Sequence, residues 1–276
     1  MINPDFSIID SSLANSPNNS NTIVIKVSSV NVTYSVFDTT RNIFVAIESW
    51  GLKEQWNFNQ IMQALDENQE KIKILKQNFQ KVIVIIDSPF FTLIPDELYS
   101  PDNAKDYLAF NHTFKHNEKA LTDNISNVAS KNIYWLPFDL DVFISKYFTN
   151  YEYRHISTIL LNSVFSETKM QDKVLVNISG NNMLITVTVG KELKYCNTFV
   201  FHSAEDSIFY LLNVFTQLKL NPDSFPVLLT GEFDENSAVY NLIYKYIRNI
   251  SFGSRPSALQ YFSGINYIKP HLYFSI

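Results

Sequence analysis

A repeated order of elements constrains this chain more than any single motif. Ile23, Ile25 and Val27 alternate as a strand, Ser28-Ser29-Val30-Asn31 turns, and Val32, Tyr34 and Val36 return. Residues 38–42 turn again, and Ile43, Val45 and Ile47 form a third alternating run. Period-two alternation marks half-buried strands, so this stretch reads as a meander. Phe58, Ile61, Met62, Leu65, Ile72, Leu75 and Phe79 then recur at spacings of 3, 4 and 7, one face of a helix. An apolar run, residues 82–86, follows as a buried strand.

The second half repeats the order. Val174, Val176 and Ile178 form a strand, Ser179-Gly180-Asn181-Asn182 turns, Met183 to Val189 returns, and Leu193 to Phe201 runs out again. Ser203 is a good helix N-cap, with Glu205 and Asp206 in the first turn where the helix dipole favours acids. That helix presents Ile208, Leu211, Leu212, Phe215 and Leu218, and a buried strand, residues 227–230, ends at Gly231. The offset is constant at the start: 174 − 23 and 179 − 28 both give 151. Strand, strand, strand, helix, strand therefore occurs twice, and a structural duplication of an α/β unit is expected.

Between the halves, Thr92 to Tyr99 reads as a turn into a short helix and Tyr107 to Lys115 as extended chain. Ile133 to Pro137 reads as a strand, Val142 to Phe148 as a helix led by Asp139, and residues 155–167 as helical. Val239, Leu242, Ile243, Tyr246, Ile247 and Ile250 predict a late amphipathic helix, and the C-terminal stretch 267–276 is expected to dock on the fold. The domains expected are a flexible Asn/Ser-rich tail over 1–21, a first lobe over 22–150 and a second over 151–276.

Glycine is scarce, 6 in 276 residues, where average usage would give roughly 19. No spacing among them makes a dinucleotide fingerprint or a P-loop, and a nucleophile elbow is absent as well. A net charge of −5 gives no basic footprint, so nucleic acid is not an expected partner. One cysteine, Cys196, excludes an internal disulfide framework. The first basic residue is Lys26, and no apolar run approaches the length of a spanning helix. A cytoplasmic protein without a membrane span is expected.

The duplicated plan resembles the actin-like ATPase fold, with two ribonuclease-H-like lobes. More closely, the chain resembles an uncharacterised bacterial family of unknown function with that fold. The resemblance is carried by residues 81–99 (KVIVIIDSPFFTLIPDELY), 107–113 (YLAFNHT), 134–137 (YWLP) and 197–206 (NTFVFHSAED). Actin-like proteins of pilus and type II secretion assembly are more distant analogues. Active members of the fold carry an acid and a glycine in each of two phosphate-binding hairpins, and a Gly-Gly pair where adenosine packs. Glycine there lets backbone N–H groups approach phosphate, and the acid helps hold Mg²⁺ through water.

Set against that pattern, all three elements are altered. The first turn, residues 27–31, has neither acid nor glycine. The second keeps Gly180 and Asn181 but places neutral Asn177 where the acid belongs. The third reads Thr230-Gly231-Glu232, with a carboxylate in place of the second glycine. The resemblance thus implies a degenerate nucleotide site and a non-catalytic binding or assembly module. Its partner would be another protein, and it would need no cofactor. The alternative is a protein that still binds ATP with Mg²⁺ through Asn177, Gly180, Asn181, Thr230 and Gly231.

Other signals have ordinary explanations. His112 and His116 are four apart without a third metal ligand, and Asp87 before Ser88-Pro89 reads as an Asx-turn. Glu205 and Asp206 read as helix-start acids, Cys196 with His202 lacks a nucleophile signature, and Tyr240, Tyr244 and Tyr246 read as core and rim.

Overall fold

The computed structural model describes residues 4–15, 21–51, 58–68, 72–113, 118–126, 128–166, 172–255, 259–269 and 271. The first meander is β2 (Asn21–Val27), β3 (Asn31–Asp38) and β4 (Ile43–Gly51), preceded by β1 (Phe6–Ile9). Helix α1 (Phe58–Glu67) leads to β5 (Lys81–Ile86). An insertion follows: β6 (Phe91–Pro95), α2 (Ala104–Ala109), β7 (Glu118–Asn124), β8 (Ser130–Pro137) and α3 (Phe138–Tyr147). Then come β9 (Tyr151–His155) and α4 (Ile156–Ser166). The second meander is β10 (Lys173–Ser179), β11 (Asn182–Val189) and β12 (Glu192–Val200). It continues through α5 (Ala204–Gln217), β13 (Val227–Gly231), α6 (Ala238–Tyr246) and β14 (Ile250–Phe252) to β15 (Gln260–Tyr261).

The duplication is visible in the sheets. The first runs β4-β3-β2-β5-β9 and the second β12-β11-β10-β13-β14, with β1 and β15 added at β4 and a separate sheet β6-β8-β7. In each, the first three strands are antiparallel and the last two parallel to the strand before them. Alternation explains the fit to one core per lobe. Val174, Val176 and Ile178 join the second-lobe core, while Leu175 and Leu184 turn the other way and pack with the first-lobe core.

Several expectations change. The first sheet continues past residue 150, because β9 pairs with β5 from Val82↔Tyr151 to Ile86↔His155. Its sequence, Tyr-Glu-Tyr-Arg-His, is too polar to stand out as a strand. The tail 1–21 includes β1, held against β4 by Phe6↔Ser49 to Ile9↔Ala46. The helix expected from Phe58 to Phe79 stops near Asn68, whose side-chain amide donates to the Ala64 carbonyl at 2.8 Å. A 3-10 turn, Lys73–Lys76, carries on the apolar face. Tyr107 belongs to a helix rather than to extended chain, and the late helix ends at Tyr246, with Ile250 in strand β14. His116 and residues 272–276 lie outside the described residues.

Candidate functional site

The turns that the duplication makes equivalent meet across the two lobes. In the first hairpin, Ser28 takes over the turn. Its hydroxyl oxygen accepts from the backbone N–H of Val30 at 3.2 Å and of Asn31 at 3.0 Å. In the second hairpin, Gly180 sits at φ +58°, and a Cβ there would lie 2.7 Å from Cγ1 of Val30. Glycine is thus required twice over, by the left-handed backbone and by the valine pressed onto it.

The end of β13 forms the third wall. Thr230 donates from its hydroxyl to the Asn177 side-chain oxygen at 3.1 Å, and both residues are buried. Gly231 has φ +94°, and a Cβ there would meet the Ile178 carbonyl oxygen at 2.1 Å. Its N–H donates to the His271 carbonyl at 3.0 Å, and Glu232 N–H donates to the Ile178 carbonyl at 2.7 Å. The Asn181 carbonyl accepts from Phe201 N–H at 2.9 Å. All six residues expected from the sequence therefore stand at this junction or in the hairpin beside it.

Glu232 reaches across to the first lobe. One carboxylate oxygen pairs with Lys26 Nζ and the other accepts from the Asn31 side-chain amide. Lys26 is 2% exposed and also faces Asp87, with Nζ 3.8 Å from Oδ2. Two carboxylates thus share one ammonium in a nearly dry space. Burial raises the Asp87 pKa; Lys26 and the nearby Ser179 hydroxyl oppose this, and Glu232 adds to it. Asp87 is held toward its neutral form. Its Oδ2 is buried beside Lys26 without a hydrogen-bond partner, which makes Asp87 a member of this buried cluster.

Lys26 and His271 escaped the sequence reading. The available signal for Lys26 was a lysine between Ile25 and Val27 in an otherwise apolar strand, since lysine is almost never fully buried unless paired. The remaining candidates keep ordinary roles. Ser203 and Asp206 form a capping box. His112 contacts the Phe91 carbonyl through Nε2 at 3.0 Å. Burial pushes the Cys196 thiol up to about 12. Among the described residues there is no metal-competent group of three or more His, Cys, Asp or Glu side chains, and no helix is long and apolar enough to cross a membrane.

Residues 10–250 match the family model described as Protein of unknown function (DUF3822). The chain belongs to this family. No curated protein matches it. Among solved structures it is similar to a Bacteroides thetaiotaomicron protein with actin-like ATPase fold and unknown function. The two share 20% identity over 85% of this chain and 91% of that one, at a TM-score of 0.75. It is also similar to the PilM–PilN type IV pilus biogenesis complex, at 8% identity over 89% of this chain and 91% of that one, with a TM-score of 0.54. At such identities the likeness establishes the fold: this DUF3822 protein has the actin-like ATPase fold.

Proposed function

We propose that this protein is a non-catalytic actin-like module, acting by binding or assembly with another protein in the cytoplasm, whose nucleotide position is filled by its own side chains. The observation that carries this reading is the Glu232 carboxylate bridging Lys26 and Asn31 between the lobes. In an active member of the fold, anionic phosphates and a cation join the lobes there. Here a carboxylate and an ammonium of the same chain make that junction.

Three further features support it. The first-hairpin N–H groups that would face phosphate are taken by Ser28. Val30 lies against Gly180, so the two hairpins touch where phosphate oxygens would need room. Asn177, spent on Thr230, offers no charge to Mg²⁺. A phosphate entering this space would confront the Glu232 carboxylate, with like-charge repulsion in a low dielectric.

Thermal melting with millimolar Mg-ATP or Mg-ADP tests the proposal. A ligand at 100 times its Kd adds about 2.7 kcal/mol, which raises Tm by several degrees in a chain of this size. The expected result is an unchanged Tm with either nucleotide and a stoichiometric protein partner on affinity purification. A nucleotide-dependent rise of several degrees would refute it.

A further inference from the structure

The duplication gives each lobe an outer meander strand, β4 in the first and β12 in the second. Strand β4 carries β1 antiparallel along Ala46–Ser49 and β15 along Ile43–Phe44. Phe6 and Ile8 of β1 pack in one small cluster with Phe44 and Ile47 of β4. The chain thus completes this edge with its own strands. The equivalent strand β12 has β11 as its one strand partner among the described residues.

In an antiparallel ladder, alternate residues aim their main-chain groups at one neighbour and those between aim away. Phe201 N–H donates to the Asn181 carbonyl, beside the start of β11, at 2.9 Å. By alternation Asn197 and Phe199 face β11, while Cys196, Thr198 and Val200 face outward. The Thr198 N–H agrees, because it donates to the side-chain oxygen of its own neighbour Asn197 at 2.9 Å. Edge strands are commonly blunted by charge, proline or bulges. Here the register shift lies at the start of β12, where Tyr195 opposes Val187 and Leu193 opposes Thr188, and Glu192 and Lys194 lie there too. Residues Tyr195 to Val200 are uncharged, in regular register and without proline.

The side chains of this stretch suit a copy of itself. Tyr195 and Phe199 lie on the α5 side, with ring centres 6.4 Å apart and 12° between planes, and Phe199 stacks on Tyr210 of α5 at 4.7 Å and 11°. Turned about a two-fold axis at Asn197, the stretch sets Tyr195 opposite Phe199 and Cys196 opposite Thr198, each pair twice. Aromatic pairs directly opposite stabilise antiparallel strands, and no like charges oppose one another within it. The outward amides of Cys196 and Thr198 would exchange hydrogen bonds with the second copy, displacing the Asn197 side chain. We propose that the β12 edge is a self-association site, where a second copy of this chain adds its own β12 antiparallel, centred on Asn197, and joins the two second-lobe sheets into one. Such a two-fold contact uses the same patch on both copies and closes as a dimer. In the first lobe the same edge already takes an antiparallel strand, β1. The site is separate from the interlobe cleft and does not depend on the nucleotide reading.

Analytical ultracentrifugation of the full chain tests the proposal. Wild type at about 10–100 µM should sediment with twice the mass of one chain, since a micromolar Kd gives mostly dimer there. Two variants read the edge itself. Asn197→Asp keeps an acceptor for the Thr198 N–H but sets two carboxylates face to face at the axis. It should weaken the dimer about fivefold at low salt, and less as salt rises. Thr198→Pro removes an outward N–H at an edge, where proline is tolerated, and should weaken the dimer about tenfold or more. A wild type that stays monomeric at about 100 µM overturns the proposal and leaves the edge to a strand of another protein. A dimer that both variants leave intact overturns it by placing the contact elsewhere. If Thr198→Pro does not melt cooperatively, Asn197→Asp decides alone.

Discussion

Replacing Lys26 by methionine removes the ammonium from the interlobe cluster and keeps its stem. Two carboxylates then face each other at a nearly dry site, Asp87 at 5% exposure and Glu232 at 13% for its side chain. Removing one partner of a buried ion pair costs about 3–5 kcal/mol. Asp87 already leans toward its neutral form, and taking up a proton there relieves part of the repulsion. The expected loss is therefore near the lower end, about 3 kcal/mol. Glu232→Gln keeps the shape and the Asn31 contact and leaves Lys26 to Asp87, so a smaller loss, about 1–2 kcal/mol, is expected. The double variant removes both charges and should be far less destabilised than the two losses combined, with a coupling of about 1.5–3 kcal/mol. Urea unfolding at pH 7, followed by tryptophan fluorescence, measures the cycle; of the three indoles, Trp50 and Trp135 sit in buried positions of the first lobe and insertion. Single losses below about 0.5 kcal/mol with no coupling would refute the argument, since they would mean that the lobes do not meet through this pair in solution.

Three other outcomes follow from particular residues. Gly231→Ala forces a Cβ to within 2.1 Å of a backbone carbonyl at φ +94°, so a loss above about 3 kcal/mol is expected in the same assay. A near-neutral result would mean that the strand end is not built as described. Ser203→Ala removes the hydroxyl that caps the Asp206 N–H at 3.1 Å and should cost about 1 kcal/mol, read as a lower urea midpoint.

His155 gives a pH signature. It is wholly buried, its Nε2 meets the Ser88 carbonyl at 3.1 Å and its Nδ1 the Ser157 hydroxyl at 2.8 Å, and burial lowers its pKa from 6.5 to about 3. Below pH 6.5 the unfolded chain takes a proton that the folded chain refuses, so stability falls as pH falls, down to about 3. Relative to His155→Gln, wild type should lose about 1.4 kcal/mol per pH unit, about 2 kcal/mol by pH 5. A flat difference between pH 7 and 5 would show that His155 is protonated in the fold.

The parts of this fold that sequence made legible are those where burial leaves a period. The two meanders, α5 with its Ser203 cap and the buried β5 and β13 each follow from alternation or helical spacing. The polar strands β7 and β9 carry no such period. They are strands because the neighbours β8 and β5 offer unpaired edges, which is tertiary information. The site divides in the same way. Gly180, Gly231 and Glu232 stand out when the turns are set against the pattern of the fold family that the chain resembles. Lys26 and Asp87 are local oddities whose roles exist only once the lobes meet, with Glu232 lying more than 200 positions from Lys26 and Asn31, while His271 finds its partners, Gly231 and Phe233, about 40 positions away in the second lobe.

Isothermal titration of the full chain with Mg-ATP tests the proposed function most directly, since on that proposal Lys26, Glu232 and Val30 occupy the place the phosphates would need. The account predicts no heat beyond dilution. Saturable binding in the micromolar range would contradict it.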